Sequence, residues 1–134
     1  MSIVAIRAAL EVALAAMSPA LATAYENAPY TPVAGTAYQQ VWLLPATPAN
    51  IEFSSVYRQD GLLQVDLKYP LNAGPAAAAA RAELFRTTFI RGASFTASGV
   101  TVHINGTPEI MPARIEEDRY VLPVRVPFYA HIRS

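Results

Sequence analysis

Apolar residues recur at three- and four-residue spacing at the start of the chain and at two-residue spacing through most of the remainder. Ile3, Ile6, Leu10, Leu14 and Met17 form a single stripe, which predicts an amphipathic helix over about 3–17 with Ser2 as its cap. Ser18-Pro19 ends it, because a proline disfavours helical geometry in the residue before it. The side opposite the stripe is alanine rather than lysine, so the helix reads as a packing face and not as a membrane-surface helix. Polar and turn-forming residues over 25–37, with Pro29, Pro32 and Gly35, predict a long loop. A strand is expected over 38–44, with Tyr38, Gln40, Trp42 and Leu44 on one face and Gln39, Val41 and Leu43 on the other. A second proline-containing loop is expected over 45–55.

The clearest extended region is 56–69, where Leu63, Val65, Leu67 and Tyr69 alternate with Leu62, Gln64, Asp66 and Lys68. Asp60-Gly61 inside it is either a tight hairpin turn or a glycine bulge; the short stretch before it favours one long, bulged strand. Asn72-Ala73-Gly74-Pro75 then breaks the strand and starts a second helix. Its run Ala76-Ala77-Ala78-Ala79-Ala80 lets it lie close to a sheet. Ala77, Ala80, Leu84 and Thr88 are assigned to one side, and the end falls near 89–92. The last third reads as a meander. A strand over 95–104 turns at Asn105-Gly106, the strongest hairpin signal present, into 107–115. Glu116-Glu117-Asp118 make a polar turn into 120–128, where Pro123 and Pro127 fall on one face, so that at least that side is edge-like or bulged. The expected architecture is α+β over 1–134 as one domain: a mixed, mostly antiparallel twisted β-sheet with two main α-helices packed on one face.

The chain has 134 residues, 53% of them hydrophobic and only 15% charged. That is enough for a core, and well below the usual quarter of charged residues in soluble proteins. Ten basic and ten acidic residues cancel, leaving no broad positive field for a phosphate backbone. Arg81, Arg86 and Arg91, with Glu83 among them, read as a solvated face. The absence of cysteine excludes disulfides, thiolate catalysis and cysteine-bearing metal sites. Ala22-Thr23-Ala24 mimics a signal-peptidase site, but Arg7 and Glu11 interrupt the apolar run before it and sit where they can pair. No segment reaches the roughly 20 apolar residues of a membrane helix.

Candidate chemistry is sparse. His103 and His131 are isolated, no serine has a nucleophile-elbow context, and Glu116, Glu117 and Asp118 match no calcium loop. No catalytic, cofactor-binding or metal site is expected unless a histidine converges with an acid in a pocket. Seven tyrosines accompany one tryptophan. Tyrosine is favoured where a ring is buried and its hydroxyl stays wet, subunit interfaces included. Tyr25 and Tyr30, in the proline-containing loop, are the stronger interface candidates.

Several stretches together resemble small phage-encoded proteins of the tail terminator family. They are Ile3-Val4-Ala5-Ile6-Arg7-Ala8-Ala9-Leu10-Glu11, Tyr25-Glu26-Asn27, Val41-Trp42-Leu43-Leu44-Pro45-Ala46 and Tyr57 to Val65. Gly74-Pro75 with its alanine helix, and Asp118-Arg119-Tyr120-Val121-Leu122-Pro123-Val124, complete the set. The resemblance implies a structural protein, often prophage-encoded, that forms a hexameric ring on the last ring of the tail tube. Such a ring stops tube growth and presents a surface to the head–tail connector. It further implies assembly in the host bacterial cytoplasm and residence in the virion tail, with no membrane or specific nucleic-acid partner. Tyr25, Glu26, Asn27, Tyr30, Arg58 and Asp60 are the expected contacts with neighbouring subunits or the tube, and both long loops are long enough to order only on assembly. The reading from another class is a protein-binding module or tail assembly chaperone that never joins the particle.

Overall fold

The computed structural model describes residues 2–50 and 55–133, apart from the side chain of Ser2; the expected Ser2 cap and the 51–54 end of the second loop therefore lie outside the described parts. Helix α1 spans Ser2–Ala15 and α2 spans Ala76–Thr88. Among the described residues nine strands form one sheet: β1 Ala22–Ala24, β2 Tyr38–Pro45, β3 Ala49–Asn50, β4 Val56–Pro70, β5 Ser94–Ala97, β6 Val100–Ile104, β7 Glu109–Ile110, β8 Arg114–Glu116 and β9 Arg119–Arg133. The order is β1-β2-β4-β9-β6-β5, with β3 on β4 and with β7 and β8 on β9. The β1–β2 pair is parallel and the other pairs among the described residues are antiparallel, so the sheet is mixed and mostly antiparallel, as expected. The Ala22-Thr23-Ala24 stretch is strand β1.

The sheet is organised on β4 and β9, fifteen residues each, paired in one unbroken register from Val56↔Arg133 to Pro70↔Arg119. Strand period fixes the faces. Leu63, Val65 and Leu67 lie opposite Val126, Val124 and Leu122, beside Val41 and Leu43 of β2. All are buried on the helix-covered face with Ile6, Leu10 and Leu14 of α1 and Ala78, Ala82, Phe85 and the following Phe89 from the α2 segment. Burying a Leu or Phe side chain fully is worth about 1.5–3 kcal/mol, so this face, with both helices on it, carries most of the stability. The predicted α1 stripe is the observed one, and Arg7 and Glu11 pair across one helical turn at 3.7 Å.

Three expectations need correction. Gly61 is not a bulge, because the β4–β9 register runs through it without interruption. A Cβ built there would meet the Phe128 ring at 2.7 Å and the Leu44 carbonyl oxygen at 2.8 Å, so the glycine makes room for a close approach. The hairpin at Asn105-Gly106 does not form. The segment expected as one strand over 95–104 is itself a hairpin, β5–β6, which turns at Ser98 (φ 51°) and Gly99 (φ 78°). Positive φ at both central residues is the requirement of the type I′ turn. After β6, itself paired with β9, the chain continues into β7 and β8, which also pair with β9. The face of α2 is also rephased: its buried residues are Ala78, Arg81, Ala82 and Phe85. Arg81 is thus not on a solvated face. It lies against the Pro19 carbonyl, to which its guanidinium donates, and burial lowers its pKa, opposed by Tyr69.

Pro123 and Pro127 sit in β9 between two neighbours, not at the sheet edge. The carbonyl of Pro123 accepts from the Met111 amide at 2.9 Å, so its donor-free nitrogen faces the β7–β8 flank. Pro123 falls between the residues paired with β8 (119–121) and those paired with β7 (124–125). Pro127 falls between the β7 pairs and the β6 pairs (128–130). Each missing donor coincides with a change of partner, which is how a strand with two prolines remains interior. The expected broken side exists as this interrupted flank.

Candidate assembly interface

With both helices on one side, the opposite face of the sheet is left to side chains of its own strands and to the 25–37 loop. This loop wraps the β2 edge. Glu26 Oε1 accepts from the Leu43 amide at 2.9 Å and from Arg7 Nη1 at 3.1 Å. A strand-edge amide beyond the reach of short β1 is thereby capped by a carboxylate. The Leu43 N–H, aided by Arg7 and opposed by burial, holds the Glu26 carboxyl below the usual carboxylate range. On the open face, Tyr30 stacks on Tyr38 with ring centroids 5.0 Å apart. Arg119, buried, donates to the carbonyls of Thr36 and of Val33, the latter at 2.7 Å. Residues 25–37 are therefore anchored within the chain itself, although their length left ordering on assembly open.

The six expected contact residues fall into two groups. Tyr25, Glu26, Asn27 and Tyr30 surround a hollow of about 260 Å³, with Gln40 and Trp42 as part of its wall. Arg58 and Asp60 stand apart from them on β4. They are two residues apart on the same strand and so on the same face. Their pairing is bidentate: Nε to Oδ1 at 2.8 Å and Nη2 to Oδ2 at 3.1 Å. The bond to Asp60 raises the Arg58 pKa above its ordinary value. The Arg58 guanidinium also lies 4.1 Å from the centroid of Tyr129.

Tyr129 is the centre of a row that sequence reasoning did not assemble. His103 of β6 is its cross-strand partner and stacks on it at 5.0 Å, while His131 meets its edge at 5.6 Å. Both histidines contact an aromatic ring rather than an acid. Among the described residues no three His, Cys, Asp or Glu side chains cluster as metal ligands would, and no helix is long and apolar enough to cross a membrane. Leu44 is 42% exposed on this face, between the two groups. Further along, Asp66 is buried yet accepts from Arg114 Nη2 at 3.3 Å and from Gln64. Arg114 also pairs with Glu116 at 3.1 Å. The open face combines aromatic, aliphatic and internally neutralised charged groups, the make-up of a surface for protein contact.

A signal for the Tyr129 row was present in the alternation of Tyr129 and His131 along β9, but the partner in β6 depended on a hairpin that the Asn-Gly dipeptide misplaced.

Comparison with known proteins accords with this geometry. A solved structure 22% identical in sequence superposes with a TM-score of 0.75 over 96% of this chain and 95% of its own. A chain from the virion of a native gene transfer agent particle superposes with a TM-score of 0.62 at 18% identity, over 97% of this chain and 96% of that one. At these identities the likeness establishes the fold. Among curated proteins none matches the chain. The model of the phage tail terminator protein family matches residues 5–128, which takes in most of α1, all of α2 and the strands up to the later part of β9. The chain belongs to the phage tail terminator family, whose members are structural proteins of the phage tail and not enzymes.

Proposed function

We propose that the chain forms a hexameric ring on the last ring of the tail tube, ends tube growth there and offers its far side to the head–tail connector. It would assemble in the host bacterial cytoplasm and remain in the virion tail, acting over 1–134 as one domain. The observation that carries this reading is the family match over residues 5–128. The open sheet face supports it with a surface that carries aromatic anchors, Tyr30 on Tyr38 and Tyr129 on His103. On this reading Tyr25, Asn27 and Tyr30 at the wrapped loop, and Arg58 and Asp60 beside Tyr129, face neighbouring subunits or the tube. Glu26 contributes by holding the loop in place, since its carboxylate is already engaged by Leu43 and Arg7.

The test is tube polymerisation. Purified tail tube protein is assembled with and without the chain, and tube lengths are measured by electron microscopy. Tubes should stop short when the chain is present, with its density confined to one end. Unchanged tube lengths, with the chain absent from tube ends, would overturn the proposal.

A further inference from the structure

The two ends of β9 carry different surfaces. At its start, the β8–β9 hairpin projects Glu117 and Asp118. Glu116 is taken up by Arg114 and Lys68, at 3.1 and 3.7 Å. Glu117 makes no ion pair among the described residues, and Asp118, with 76% of its side chain exposed, has only a 4.0 Å approach from Arg119. Beside these acids Ile115 is 70% exposed. At the other end, Arg91, Gly92, His103, Asn105 and Tyr129 line a hollow of about 290 Å³. Arg91 follows α2, is exposed and makes no ion pair among the described residues, and its neighbour Ile90 is 59% exposed. On the same face Asp60, the cross-strand partner of Tyr129, is already bound by Arg58. From Arg119 to Tyr129 is ten strand residues, about 33 Å. The two surfaces therefore lie at opposite ends of the molecule and cannot meet within one chain.

We infer that the occupant of the Arg91–His103 hollow is a second copy of this chain, which inserts its Glu117-Asp118 hairpin tip and lays Ile115 against Ile90. The two ends are complementary: exposed acids, Glu117 among them unpaired, beside an exposed isoleucine, and an unpaired guanidinium and an imidazole beside another. Opposite charge fixes register and steers encounter, while the apolar pair supplies area from which water is excluded. A contact between two different patches is heterologous, so each added copy leaves one free tip and one free hollow until the circle closes. This inference rests on the proposed ring and names the contact that would close it.

The chain has no cysteine, so engineered thiols react alone. Arg91→Cys and Asp118→Cys, both at exposed positions, are introduced separately and together. They are treated with a short bismaleimide at high protein concentration and on tail tubes. The double variant should give a ladder of covalent oligomers ending in a closed species. A mixture of the two single variants should give dimers, and neither alone should react with itself. Arg91→Glu should lower association at least ~10-fold, and Arg91→Glu combined with Asp118→Arg should restore it. Self-linking of Asp118→Cys alone would show a two-fold contact and overturn the inference. So would rings seen by native mass spectrometry that yield no linkage between these positions; that result would leave the ring itself standing. Absence of any oligomer, in solution and on tubes alike, would overturn both.

Discussion

Replacing Gly61 by alanine tests most directly how β2, β4 and β9 fit together. The backbone at Gly61 is not left-handed, so alanine meets no conformational penalty there and any effect must come from space. The added Cβ would stand 2.7 Å from Phe128 Cζ, 3.1 Å from its Cε2 and 2.8 Å from the Leu44 carbonyl oxygen. Real Cβ contacts are longer than this, so the Phe128 ring must move and the β2 backbone must shift with it. Phe128 is 1% exposed within the core, which leaves its ring nowhere free to go. Overpacking of this kind costs about 1–3 kcal/mol. For a chain of this size an unfolding entropy of about 0.28 kcal/mol/K converts 2 kcal/mol into a fall in Tm of about 7 °C. Thermal unfolding followed by circular dichroism measures it. The partner variant Phe128→Leu removes one of the two obstacles. The double variant should therefore lose less than the sum of the single losses, by about 0.5–1.5 kcal/mol in a double-mutant cycle. A Gly61→Ala protein with the parental Tm, or strictly additive losses, would refute the steric account.

Arg119→Met should release the 25–37 loop by removing the donors to Thr36 and Val33. A loss of about 1–3 kcal/mol is expected, with limited proteolysis cutting first between residues 27 and 37; unchanged cleavage sites would contradict the anchoring role. Glu26 has a folded-state pKa below its unfolded one. Its contribution is therefore present above the unfolded value and lost as pH falls through the folded value. Glu26→Gln should accordingly lower Tm most at about pH 7 and progressively less as pH falls through and below the folded value; an effect that does not change with pH would exclude the charge as the cause. Ser98→Asn should raise Tm by about 1–4 °C, since Asn-Gly suits a type I′ turn better than Ser-Gly, and a fall in Tm would argue against that turn.

Long, strongly periodic elements were legible in the sequence: α1 from its apolar stripe and β4 from its alternation, each within two residues of its observed ends. The parts that were not legible depended on tertiary contacts. The dipeptide Asn105-Gly106 has the local preference for a hairpin, but Ser98-Gly99 took that role because β5 and β6 could then both lie along one side of the core. Arg81 reads as solvent-facing beside Glu83, and only the position of Pro19, sixty-two residues earlier, shows why it is buried. Gly61 looked like a backbone requirement and proved to be a matter of volume, set by a phenylalanine in a strand that begins almost sixty residues later. For the candidate interface, the same-face position of Arg58 and Asp60 is a consequence of strand period alone. The meeting of Tyr129 with His103 required a strand order that no local pattern encodes. Glu26 reads as an exposed loop acid until the unpaired Leu43 amide beside it is seen.

The fifteen-residue register between β4 and β9 has a mechanical consequence. Hydrogen bonds in an antiparallel ladder run across the strands, so tension applied along the strand axis loads them in shear, all together, instead of opening them one by one. The flank formed by β6, β7 and β8 is different. Its three short ladders, divided at Pro123 and Pro127, can yield separately. A pull transmitted along β9 would be borne by the β4 side, while the flank gives way in steps without parting the two long strands.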